Sequence, residues 1–99
     1  MADTLVCAAF SNIPVQTGSF ALEGRWLIWS RVTLYPDRLC LEAWGFTGRF
    51  YRDIPLAQID AAVAEEHRLI LYRENEDPLA LTLRRSGRWA RSINAHRDL

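Results

Sequence analysis

Lysine is missing altogether: all 12 basic residues are arginine, set against 12 acidic residues for a formal net charge of zero. Without a basic excess, the chain is not expected to bind nucleic acid. Arginine as the sole cation has two readings, a compositional habit of the source or selection for planar, bidentate contacts to carboxylate or phosphate. Cysteine is scarce, with Cys7 and Cys40 far apart, no CxxC, and no histidine at metal-ligand spacing. One disulfide is arithmetically allowed, but two isolated cysteines in apolar surroundings read as buried free thiols. No metal or other cofactor is expected. No apolar run approaches the roughly 20 residues of a membrane span. The N-terminus lacks the basic flank of a signal peptide, and its apolar run Leu5 to Phe10 is too short for an h-region. These absences predict a soluble, cytoplasmic protein.

What is present fits one domain. The chain has 99 residues, 49% of them apolar, 24% charged and 11% aromatic. At this size, folding buries roughly 65% of the unfolded surface, enough for one small core. Residues 1–18 are the least regular and read as an N-terminal extension, punctuated by Pro14 and Gly18. Residues 19–84 read as strands at short spacing, over about 20–24, 26–35, 38–44, 49–54, 59–65, 68–73 and 79–84. The last regular piece, 86–96, reads as a helix capped by Ser86, with Trp89, Ile93 and His96 on one face. A helix of three turns with so narrow a stripe is not stable alone and must pack on the strands.

Two hairpins can be checked for register. With Pro36 and Asp37 at the tip, Leu34 faces Leu39 and Val32 faces Leu41 on the core side. Arg31 then faces Glu42 and Trp29 faces Trp44 on the other side, a complementary-charge pair and an aromatic pair. Pro36 at the first central position disfavours a primed turn, so a wider turn is expected. With 74–78 as the second loop, Leu71 faces Leu81 and Leu69 faces Leu83, while Ile70 and Tyr72 lie opposite Thr82 and Ala80. The acidic Glu74-Asn75-Glu76-Asp77 lacks the Gly and terminal Glu of an EF-hand loop and reads as a solvated turn.

The stretch Val32-Thr33-Leu34-Tyr35-Pro36-Asp37-Arg38-Leu39-Cys40-Leu41 resembles the second hairpin of GRAM and bacterial pleckstrin-homology-like domains. Gly45-Phe46 followed by Ile54-Pro55-Leu56-Ala57-Gln58-Ile59 resembles the stretch after it, and Trp89 looks like the tryptophan of that fold's final helix. The resemblance covers about 31–96. It implies a mainly β domain, a pleckstrin-homology-like, seven-stranded bent barrel capped by a C-terminal helix, acting as a binding module and not an enzyme. Phosphoinositide-binding members carry a Lys-rich first inter-strand loop; here only Arg25 and Arg31 are near it.

Chemistry-bearing residues are few. His67 reads as a surface turn residue and His96 as the frayed end of the helix; neither sits beside a nucleophile in a catalytic motif. Cys40 is expected to point outward beside Arg38 and Glu42. Gly-Phe-Thr-Gly at 45–48 reads as a hairpin turn, not a phosphate loop. Two features stand out. Arg84, Arg85, Ser86, Gly87 and Arg88 place three guanidinium groups at a helix start, where they can hold phosphate or carboxylate; the alternative is that they are solvated or pair with the acidic 74–77 loop. The run Arg25-Trp26-Leu27-Ile28-Trp29 is apolar on both faces, so Leu27 and Trp29, joined by Trp44, are expected outside the core. Either residues 1–18 cover them or they form a protein interface. The expected function is a binding or assembly module that contacts protein or a second copy. The alternatives are a membrane-surface module acting through arginines and a small-ligand carrier.

Overall fold

The computed structural model describes residues 13–46 and 48–97. Seven strands are followed by a helix: β1 (Gln16–Gly18), β2 (Leu27–Leu34), β3 (Arg38–Gly45), β4 (Gly48–Pro55), β5 (Ile59–Glu65), β6 (Arg68–Arg73), β7 (Leu79–Thr82) and α1 (Ser86–Arg97), with a 3-10 turn at Leu56–Gln58 between β4 and β5. The strands form two antiparallel sheets, ordered β1-β2-β3-β4 and β5-β6-β7. The sheets are stitched by one bridge, in which Ala21 and Thr82 exchange backbone hydrogen bonds of 2.8 and 2.9 Å. No helix among the described residues is long and apolar enough to cross a membrane.

The β2–β3 hairpin has the register that alternation implies. Leu34 pairs with Leu39, Val32 with Leu41, Arg31 with Glu42 and Trp29 with Trp44. Its core face is fully buried, with Val32, Leu34, Leu39 and Leu41 all at 0% exposure. The turn is tight and not widened: the Tyr35 N–H donates to the Arg38 carbonyl at 2.8 Å, leaving Pro36 and Asp37 at the tip. Gly45 pairs with Gly48 to close the β3–β4 hairpin.

The first strand is Gln16–Gly18, inside the segment read as an extension, and 20–24 is not a strand. Gly24 at φ 79° and an Arg25 N–H bond to the Leu22 carbonyl turn the chain there. Gly18 serves packing: a Cβ on it would lie 3.1 Å from Trp89 Cζ2, tight enough that the indole would have to shift by a few tenths of an ångström. The rest of the extension, residues 1–12, lies outside the described residues. The β6–β7 register is displaced by two residues from expectation. Leu69 pairs with Leu81, Ile70 with Ala80 and Leu71 with Leu79. Asn75 at φ 63° and the Glu76 N–H to Arg73 carbonyl bond make a turn beside β6. Pro78, which has no N–H to offer a ladder, lies on the β7 side. A slip of two preserves the faces, and Leu69, Leu71 and Leu81 are fully buried, with Leu83 nearly so.

The helix closes the core. Trp89, Ala90 and Ile93 are buried among Val32, Leu41, Leu69 and the other inward residues of both sheets. Ser86 does not cap the helix through its side chain. Its buried hydroxyl donates to the Glu66 carbonyl at 2.6 Å, tying the helix start to the β5–β6 turn. The helix also covers the outer edge of β5. Asn94 accepts from the Ala62 N–H (3.1 Å) and donates to the Ala62 carbonyl (3.0 Å), and Arg97 donates to the Asp60 carbonyl. A sheet edge is thereby satisfied by side chains.

Trp89→Ala is expected to cost about 3–5 kcal/mol, the range for a large buried aromatic, and Gly18→Ala about 1–3 kcal/mol through overpacking of the same contact. Urea denaturation of both variants checks the pair. A Gly18→Ala chain as stable as wild type shows that the indole does not need the bare backbone.

Candidate functional site

The outward face of the four-stranded sheet is built in rows that cross its strands. Trp29, Trp44 and Arg49 form one row, Arg31, Glu42 and Tyr51 the next, and Thr17, Thr33, Cys40 and Asp53 the third. Trp29 (41%), Trp44 (52%) and Tyr51 (57%) stand exposed. Arginines order the indoles: Arg31 lies 5.2 Å from the Trp29 ring and Arg49 5.3 Å from the Trp44 ring. Although Arg31 and Glu42 are register partners, Arg31 lies over the ring, and among the described residues it forms no ion pair with Glu42.

Leu27 was expected beside the two tryptophans and is not there. The register shifts between Leu27 and Trp29, and this bulge turns Leu27 to pack against the core while leaving Ile28 69% exposed. Gly45, opposite Leu27, has the Trp26 carbonyl 2.8 Å from where a Cβ would stand, so the strands meet too closely there for any side chain. Two further exposed aromatics lie in loops, where strict alternation does not reveal them. Trp26 (84%) in the β1–β2 loop and Phe46 (81%) in the β3–β4 turn are almost fully in solvent. Together with Arg25, Arg49 and Phe50 they border a hollow of about 400 Å³ at the sheet's end. The signal for this was the run Trp26-Leu27-Ile28-Trp29, too apolar for one buried face.

Cys40 is a free thiol on the outward face, as its register requires, yet it is buried, only 5% exposed. Its Sγ donates to Glu42 Oε1 at 3.7 Å. Burial raises its pKa above the ordinary value of 9.0; a Tyr51 hydrogen bond opposes this and the carboxylates of Glu42 and Asp53 add to it. Cys7 lies outside the described residues.

The arginine-rich segment at the helix start is only partly assembled as expected. Ser86 is engaged by Glu66, and Gly87 does not line the hollow there. Arg84, Arg85 and Arg88 do, around a groove of about 970 Å³ where the two sheets part, whose lining also includes Gln16, Thr17 and Gly18 of β1 and His67. His67 lies beside the arginines, its carbonyl accepting from the Leu83 N–H at 2.8 Å. Their pairing with the acidic loop does not occur: Glu76 of that loop is held by Arg73, whose guanidinium also donates to the Asp77 carbonyl at 3.1 Å. His96 is not simply frayed, since its Nδ1 is hydrogen-bonded to the Ser92 carbonyl at 2.9 Å. Among the described residues no group of three or more His, Cys, Asp or Glu is placed to hold a metal ion.

Compared with known proteins, the chain matches no family model, no curated protein and no solved structure.

The raised thiol gives a pH dependence. Because the folded state disfavours the Cys40 thiolate, stability is expected to be complete below the ordinary thiol pKa and to decline as pH rises past 9.0 toward the higher folded value. Urea midpoints across this range in a Cys7→Ser background, with and without Cys40→Ala, check it. An equal alkaline decline in both chains excludes Cys40 as its source.

Proposed function

We propose that this chain is a non-enzymatic binding module of pleckstrin-homology-like, GRAM-like fold that associates with a second copy of itself through the outward face of its four-stranded sheet. For the fold, support comes from the division into four and three antiparallel strands, the bridge between them, and a terminal helix that seats a buried tryptophan. The observation that carries the function is the collection of exposed Trp26, Ile28, Trp29, Trp44 and Phe46 at one end of one sheet. Scattered apolar residues are ordinary on a surface, but a cluster of large aromatics is characteristic of an interface.

The charges favour a second copy over a partner of one sign. Arg31, Arg49, Glu42 and Asp53 stand on the same face as the tryptophans. A two-fold contact presents the same patch from both sides, so each basic group can meet an acidic one on the other copy. The arginines stacked on Trp29 and Trp44 hold those rings in place before contact, which reduces the ordering cost of association.

A second reading, a module for anionic membrane surfaces, draws on Trp26 and Phe46 at adjacent loop tips with Arg25 and Arg49 beside them. It implies vesicle binding that added salt weakens.

Sedimentation of the wild type and of Trp29→Ser/Trp44→Ser tests the main reading. The wild type is expected to self-associate and the double variant to sediment as a monomer, with each tryptophan costing about 2 kcal/mol of association on truncation. A monomeric wild type that binds anionic vesicles moves the assignment to the membrane surface; a double variant that still assembles overturns the sheet-face contact.

A further inference from the structure

We infer that the groove between the two sheets is a separate binding site for an extended acidic peptide, which adds as a strand to the edge of β1 that no described strand pairs and sets its carboxylates against Arg84, Arg85 and Arg88. The geometry that points there begins with the sheet order. β1 ends the four-stranded sheet and β7 ends the three-stranded one, and just past β1 the backbone of Ala21 bridges Thr82 of β7. Gln16, Thr17 and Gly18 of β1 all border the groove. An edge strand carries a row of backbone donors and acceptors that an incoming extended chain can pair with. The other sheet-end strand of this second layer, β5, has its edge covered by Asn94 and Arg97, which the β1 edge has no counterpart for among the described residues.

Charge defines the chemistry of the occupant. Arg84, Arg85 and Arg88 are exposed, and none of them enters an ion pair among the described residues. They line the groove from the turn after β7 and the first turn of α1, and His67 lines it beside them. Carboxylates on one side of a peptide strand, at every second residue, give these guanidinium groups the planar acceptors they bind best. The floor includes Trp89 and Leu83, so the residues between the carboxylates meet an apolar surface. At about 970 Å³ the groove lies at the upper end of the range of about 300–1,000 Å³ usual for ligand sites.

The test uses short end-blocked peptides and calorimetry or fluorescence anisotropy on the intact chain. A peptide alternating glutamate and valine is expected to bind, more weakly as salt rises, while its lysine–valine counterpart does not. Arg84→Ala/Arg88→Ala, which alters only exposed side chains, is expected to weaken binding by about tenfold or more. Methylation of alternate peptide nitrogens, which removes the donors of a ladder but no charge, is expected to abolish it. Equal binding of the two peptides, of the methylated form, or by the double arginine variant overturns the proposal, as does binding of anionic vesicles through these arginines with no peptide binding. Trp29→Ser/Trp44→Ser separates this site from the sheet face: it is expected to bind the peptide as the wild type does, and loss of binding there places the peptide on the outer face instead.

Discussion

Two antiparallel sheets, each with one apolar face, have to share a single core, and the contact that lets them do so is Trp89 against Gly18. Trp89 is carried by the helix and is 3% exposed; Gly18 belongs to the first strand. Its missing side chain gives room to the indole, which would otherwise stand 3.1 Å from a Cβ. With the indole seated, Ala90 and Ile93 on the same helical face reach the leucines of both sheets. Ser86 and Asn94 then fix the helix to the β5–β6 turn and to β5 by hydrogen bonds to Glu66 and Ala62. The apolar stripe supplies the attraction, whereas these directional bonds set the position of the helix along the sheet.

How the helix sits decides where the protein's surfaces fall. It covers the β5 edge and leaves the β1 edge facing a groove. At the far end of β2, the bulge between Leu27 and Trp29 has a comparable effect on side chains. One added residue sends Leu27 into the core and keeps Trp29 beside Trp44 on the outside. Without it, strict alternation would carry Leu27 and Trp29 to the same face.

The parts of the fold legible in the sequence are those with local, periodic causes. The β2–β3 register followed from alternation about Pro36–Asp37, and the helix face from the spacing of Trp89 and Ile93. The strand β1 was not legible, because Gly18 reads as punctuation and its purpose is visible only beside an indole distant in sequence. The β6–β7 slip was not legible either: a displacement of two keeps every leucine on its face, so hydrophobic pattern alone cannot detect it. Of the candidate site residues, Trp29 and Trp44 were fixed by register, Leu27 was misplaced by the bulge, and Ser86 was read as a cap when its hydroxyl is spent on a distant carbonyl. Phe46 and Trp26 stand in loops, where periodicity has nothing to say.

Arginine without lysine acquires a physical sense from two of the environments in which the guanidinium groups are found, over aromatic rings and around the groove. On the sheet face, Arg31 and Arg49 lie over tryptophan rings, and away from it Arg25 and Arg38 lie over Phe50 and Tyr35 at 5.4 and 4.2 Å. Planar, weakly hydrated cations tolerate that loss of solvent, whereas an ammonium holds its water more tightly and cannot stack. Around the groove, Arg84, Arg85 and Arg88 are exposed and meet no ring and no carboxylate among the described residues. One residue type therefore orders an aromatic surface in one place and leaves acceptor-seeking groups in another. Replacing the first set with lysine removes the stacking while keeping the charge, but replacing the second set removes only the planar fork. The two surfaces are thus separable by the same conservative substitution.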